Sequence, residues 1–173
     1  MVGDGLAKLV ERAIGPGADF PSLLAAARER YAAHCLDATR PYPGIPALLQ
    51  ALASRGMPMG VLSNKPHAMT LEVVARTFPE DTFVAVAGAR ESVPIKPDPA
   101  GALAMARHIG VPPEATLFVG DTPVDVATAR AARMTSVGVG WGFRSAQQLR
   151  EAGARHLIDA PERLMDLLDA PDV

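Results

Sequence analysis

From Ile45 onward the chain repeats one local layout: a short apolar run, a polar or glycine-bearing stretch, then a segment with helical periodicity. Leu117-Phe118-Val119 stops at Gly120 and runs straight into Asp121, Thr122 and Pro123. Residues 57–62, 83–87 and 135–139 are apolar runs of the same kind. Runs this short and this continuous read as strands buried on both faces. A helix between successive strands acts as a crossover, so the strands must lie parallel and the helices must cover both faces of the sheet. In such open sheets ligands bind outside the carboxyl ends of the strands. Chemistry is therefore sought in the residues that follow each apolar run.

The first 40 residues lack this layout. Leu6, Leu9, Val10, Ala13 and Ile14 recur at helical spacing, and Gly15-Pro16-Gly17 stops the run. A second helix is expected over residues 21–37, with Pro21 in its first turn. Two helices without a strand are too little for a domain, so residues 1–40 read as part of a helical cap or an interaction arm. Thr39-Arg40-Pro41-Tyr42-Pro43-Gly44 is the connector, and residues 41–173 form the core. There the spacing predicts helices over 45–54, 67–78, 99–109, 123–133, 145–152 and 162–168, and a short extended piece over 156–158. Thr122 is placed as an N-cap with Pro123 at the first helical position, and Asp98 starts the helix that follows it.

Bulk properties exclude some functions. A chain of 173 residues with 49% hydrophobic content can bury a core, and a net charge of −2 leaves no electrostatic footprint for nucleic acid. No apolar run approaches a membrane span, and no secretory leader is visible at Met1. Cys35 is the single cysteine, which fits a reducing cytoplasm. His34, His67, His108 and His156 lack metal-ligand spacing and read as structural or solvated.

Four strand ends carry the polar residues that the strands lack. They are Ser63-Asn64-Lys65, Lys96-Pro97-Asp98-Pro99, Asp121 with Asp125, and the glycine-rich Gly138-Val139-Gly140-Trp141-Gly142-Phe143. Together they can form a phosphate site. The Ser63 hydroxyl and nearby N–H groups cradle phosphate oxygens, Lys96 supplies a compact charge, and Asp121 and Asp125 offer hard oxygen ligands for Mg²⁺. Each residue also has a plainer role. Ser63 can cap a helix, Lys96 can be a solvated lysine, and Thr122-x-x-Asp125 has the form of a capping box.

Taken in this order, the motifs resemble the haloacid dehalogenase-like hydrolases, and within them the phosphoglycolate phosphatase group. Val61-Leu62-Ser63-Asn64-Lys65-Pro66 is similar to the family's second motif, Lys96 in Lys-Pro-Asp-Pro to the third, and Phe118-Val119-Gly120-Asp121-Thr122-Pro123-Val124-Asp125 to the fourth. Val2-Gly3-Asp4-Gly5 and the helix after it resemble an internal part of the cap, and Ala132-Arg133 stands where the family commonly has Ala-Gly. The resemblance implies a three-layer Rossmann-like parallel sheet of the haloacid dehalogenase type, its first strand missing, with a partial helical cap. It implies Mg²⁺-dependent hydrolysis of a small phosphorylated metabolite, with phosphoglycolate as the subgroup's substrate, through an aspartyl-phosphate. Ser63 and Asn64 hold the phosphoryl group, Lys96 ties it to the nucleophile, and Asp121 and Asp125 hold the metal.

The family's first motif, an apolar strand ending in Asp-x-Asp-Gly-Thr, has no counterpart in these residues; Gly3-Asp4-Gly5 has one acid and no strand before it. The expectation is a truncated reading of a longer protein, inactive by itself. Two strand edges would then face a gap or pair directly, with association through those edges. The competing readings are a non-catalytic phosphate- or metal-binding protein on the same scaffold, and another phosphatase or mutase of the family. A phosphoacceptor receiver domain fails on order, because here Ser63 precedes Lys96, which precedes Asp121.

Overall fold

The computed structural model describes residues 5–15, 18–91 and 93–170. The helix stop expected at Gly15-Pro16-Gly17 and the Val2-Gly3-Asp4-Gly5 match therefore lie partly outside the described residues. The elements in chain order are α1 (Leu6–Ala13), α2 (Phe20–His34), α3 (Ile45–Ser54), β1 (Gly60–Pro66), α4 (His67–Thr77), β2 (Ala85–Ala89) and α5 (Ala100–Ile109). A 3₁₀ turn at Pro113–Ala115 leads into β3 (Leu117–Gly120), α6 (Pro123–Ala131), β4 (Thr135–Val139), α7 (Ala146–Glu151), β5 (His156–Ile158) and α8 (Arg163–Leu168). All strand pairs are parallel, as the helical crossovers require.

The strands fall into two sheets. β1 pairs with β2, and β3, β4 and β5 follow in that order. β1 and β3 do not hydrogen-bond to each other, so each keeps one unpaired edge. Two apolar layers hold the halves together. Ala102 and Ala106 of α5 pack with Ala129, Ala132 and Met134 of the α6 region, and this layer touches both Leu62 of β1 and Phe118 of β3. On the other face Leu48 and Leu52 of α3 pack with Val137 and Leu164, alongside Met59 and Leu117. The first layer is built mainly of alanine and the second mainly of Leu and Met side chains. In β3, Val119 is 45% exposed although it belongs to an apolar run.

Most expected elements match within a residue or two, and β4 and β5 match end to end. β1 is a correction. It runs from Gly60 to Pro66 and not over 57–62. Met57 donates its N–H to Leu52 O and so belongs to the exit of α3. Beyond Leu62 the backbone stays extended through a register shift to Pro66, as the residue before a proline favours. β2 likewise covers Ala85–Ala89, two residues later than the apolar run. No helix among the described residues is long and apolar enough to cross a membrane.

Candidate active site

Hydrogen bonds bring Asn64 of β1, Lys96 and Asp125 of α6 together; Ser63 precedes Asn64 in β1, and Asp121 follows the last residue of β3. Asn64 Nδ2 donates to Lys96 O at 2.9 Å, and the Lys96 N–H donates to Asn64 Oδ1 at 2.9 Å. This reciprocal pair fixes the Lys96 backbone to the end of β1, 32 residues away in sequence. The Lys96–Pro97 peptide is cis. Lys96 Nζ then donates to Leu62 O at 3.1 Å and to Asp125 Oδ1 at 2.7 Å, and lies 5.8 Å from the Phe118 ring centroid. One ammonium thus joins the two-stranded sheet to the three-stranded one. The pair is largely desolvated, with Lys96 and Asp125 side chains 14% and 8% exposed. Lys96 is not a solvated lysine.

Asp125 also closes the capping box. Its Oδ2 accepts the Thr122 N–H at 3.0 Å and the Thr122 hydroxyl at 2.6 Å, while Thr122 Oγ1 accepts the Asp125 N–H at 3.4 Å. Both carboxylate oxygens are therefore engaged. Gly120 makes this possible, because a Cβ there would lie 2.2 Å from Asp125 Cβ.

Asp121 is more open. Its Oδ2 accepts the Phe143 N–H at 2.9 Å, and no described residue binds its Oδ1. Gly142 stands against it, since a Cβ at 142 would lie 2.2 Å from Asp121 Cβ. The glycine-rich loop after β4 therefore seats Asp121. Ser63 Oγ accepts the Lys65 N–H at 3.1 Å, which leaves its own hydrogen free to donate. No helix capping by Ser63 is present: α4 starts at His67 with Pro66 as its N-cap. Asp98 accepts the Ala100 N–H at 2.8 Å just before α5, whose N-cap is Pro99 and not the expected Asp98.

Among the described residues no group of three or more His, Cys, Asp or Glu side chains could hold a metal. The donors that are present still suit Mg²⁺, which often takes one or two carboxylates and completes its shell with water and phosphate oxygens. Asp121 Oδ1 is an unengaged hard oxygen at the strand end. Asp125 Oδ1 accepts one hydrogen bond and Oδ2 two, so Asp125 is the more occupied of the two acids.

Sequence reasoning missed three features. They are the Asn64–Lys96 backbone clasp, the packing of Gly142 on Asp121, and a contact between His67 and Arg90 at the ends of β1 and β2. The glycines of the loop were visible; which acid they approach was not.

Residues 1–133 match the model of the haloacid dehalogenase-like hydrolase family. This chain belongs to that family. It is 36% identical to a phosphoglycolate phosphatase of Rhodospirillum rubrum over 99% of this chain and 75% of that protein. It is 30% identical to an N-acetylmuramic acid 6-phosphate phosphatase of Pseudomonas aeruginosa over 98% of this chain and 76% of that protein. Among solved structures, a haloacid dehalogenase-like protein of Streptococcus pneumoniae superposes with a TM-score of 0.87 at 17% identity, over 96% of this chain and 78% of that one, a likeness of fold alone.

Proposed function

We propose that the chain carries most of a Mg²⁺-dependent phosphomonoesterase of the phosphoglycolate phosphatase type. The observation that carries the reading is the position of Lys96 Nζ, held between Leu62 O and Asp125 Oδ1 where the two sheets meet. An ammonium has three donors, and two are spent on these oxygens. The third is left for an incoming phosphoryl or carboxylate oxygen. Ser63 donates its hydroxyl to a second phosphoryl oxygen. The end of β1 around Asn64 borders the same anion, while the Asn64 side chain keeps Lys96 in place. Asp121 would hold the cation through Oδ1, and Asp125 would support it through water. Bound there, Mg²⁺ would neutralise and orient the phosphoryl group.

The attacking aspartate belongs, on this reading, to a parallel strand seated between β1 and β3. The unpaired edges of both strands support that place for it. Residues 1–40 serve as part of a helical cap; Tyr31 of α2 already lies over Lys65 Nζ, 5.0 Å from its ring centroid, at the strand ends. The relatives named above act on phosphoglycolate and N-acetylmuramic acid 6-phosphate, both phosphate esters of molecules that also carry a carboxylate. A small phosphorylated acid is the substrate class we assign.

The experiment compares the 173-residue chain with a fusion that adds an apolar strand ending in Asp-x-Asp-Gly-Thr before residue 1. The chain alone should show almost no turnover of phosphoglycolate with Mg²⁺, since losing a covalent nucleophile costs on the order of 10⁶ in rate. The fusion should turn over, and Asp121→Asn within it should not. An ordinary enzyme rate from the chain alone, or a folded but inert fusion, would defeat the proposal.

A further inference from the structure

Lys65 is a cation at the end of β1 whose charge has no role in the site described so far. It follows Ser63 and Asn64 in the strand, and Ser63 Oγ accepts its backbone N–H at 3.1 Å, so its backbone is tied to a residue assigned to the phosphate. The side chain is half-buried, and Nζ lies 5.0 Å from the centroid of the Tyr31 ring on α2. Among the described residues no carboxylate pairs with it. The two strand-end lysines therefore differ. Lys96 Nζ is neutralised by Asp125 at 2.7 Å. An aromatic face attracts an ammonium through its quadrupole but carries no net charge, so Tyr31 holds Lys65 and leaves its positive charge whole. The ring occupies one side of the ammonium, and the N–H groups that point elsewhere stay open to an oxygen acceptor.

Its place in the fold matters as much. Tyr31 belongs to the helical arm and Lys65 to the core. The arm comes to the same strand end a second time, since a Cβ at Gly5, just before α1, would lie 4.0 Å from Asn64 O. Neither apolar layer of the core contains a residue of α1 or α2. The arm thus touches the core at the end of β1 without sharing its layers, and Lys65 stands in that seam.

We infer that Lys65 is a specificity-determining residue: its ammonium, steered by the Tyr31 ring, binds the carboxylate of the phosphorylated acid whose phosphate rests on Ser63 and Lys96. The inference rests on the phosphatase reading above and names the residue that tells an acid from a neutral alcohol. The phosphate ester of a neutral alcohol offers this ammonium only a hydroxyl. A carboxylate offers it a hydrogen bond charged on both sides, which is shorter and stronger. Tyr31 acts through Lys65 and is a positioning residue.

The test titrates ¹⁵N-labelled protein of the full chain, with Mg²⁺ present, and follows the Asn64 backbone amide by NMR. The two ligands are phosphoglycolate and hydroxyethyl phosphate, which share the phosphate and differ in the carboxylate. Phosphoglycolate should bind at least about tenfold more tightly, the worth of one hydrogen bond between charged groups. Lys65→Met should bring the two midpoints together. Tyr31→Phe keeps the ring and should keep the difference, whereas Tyr31→Leu should shrink it. If both ligands bind the wild type alike, the inference falls and the phosphatase reading stands. If Lys65→Met weakens both by the same factor, Lys65 holds the phosphate, and the assignment to a carboxylate is overturned. A difference left whole in Tyr31→Leu would overturn the role of the ring. If neither ligand moves Asn64 in folded protein, the phosphatase reading fails and the inference fails with it.

Discussion

Lys96 and Asp125 show how much one residue pair can be asked to do. The ammonium and the carboxylate are both nearly out of water, so each depends on the other for the solvation it has lost. Lys96→Met should therefore cost about 3–5 kcal/mol in urea unfolding, because it strands a buried carboxylate; a cost below about 1 kcal/mol would mean that Asp125 finds another partner. Gly142→Ala is a second test at this scale. The new Cβ would overlap Asp121, so Asp121 must move and release the Phe143 N–H. The expected loss is about 1–3 kcal/mol, with faster amide exchange at Phe143. The acids themselves were readable, since an aspartate after a buried strand stands out in any sequence. Their partners were not, because Gly142 is 21 residues from Asp121 and Asn64 is 32 from Lys96, and no local pattern encodes such approaches.

At the scale of elements, α6 is the clearest case of sequence and structure agreeing. Thr122 and Asp125 form the expected capping box, and Pro123 takes the first turn. Its other end is stopped by Arg133 with φ 59°, the left-handed conformation that glycine adopts most readily. The Met134 N–H reaches Ala129 O at 2.8 Å and the Arg133 N–H reaches Arg130 O at 3.2 Å, the bond pattern of a Schellman stop. Arg133→Gly should therefore stabilise the fold by about 0.5–1 kcal/mol, the relief of strain exceeding glycine's extra freedom when unfolded; destabilisation would show that the arginine side chain contributes elsewhere. β1 was harder to read because apolar content ends at Leu62 while the extended backbone does not. The ends of α3 and α8 are joined by Arg55, whose two Nη atoms lie 2.7 and 3.0 Å from the Asp169 carboxylate oxygens. The hydrogen bonds from Arg55 hold the Asp169 carboxyl below the usual carboxylate range. A carboxyl depressed in the folded state stabilises above its unfolded pKa, and that contribution is lost as pH falls through the folded value. The wild type should thus melt slightly above Asp169→Asn at neutral pH, and the difference should vanish near about pH 2; a difference that persists there would assign it to packing.

The whole molecule is a three-layer body whose middle layer is divided. Shared helices on both faces keep the halves in place, and Lys96 clamps them at one end, yet the inner edges of β1 and β3 remain unpaired. The sequence left open whether these edges would face a gap or pair directly; Leu62 and Phe118 pack under one helix layer without the two strands pairing. Unpaired edges beside an exposed Val119 are a template for another strand. Two consequences belong to this scale. The chain should associate reversibly as its concentration rises in analytical ultracentrifugation, and its thermal unfolding midpoint should depend on concentration. An apolar peptide added in trans and ending in Asp-x-Asp-Gly-Thr should suppress the association and raise the midpoint, since anything that binds only the folded state stabilises it by mass action. A monomer with a sharp, concentration-independent transition above about 70 °C, indifferent to the peptide, would mean that the two sheets are sufficient by themselves and that the slot needs no strand.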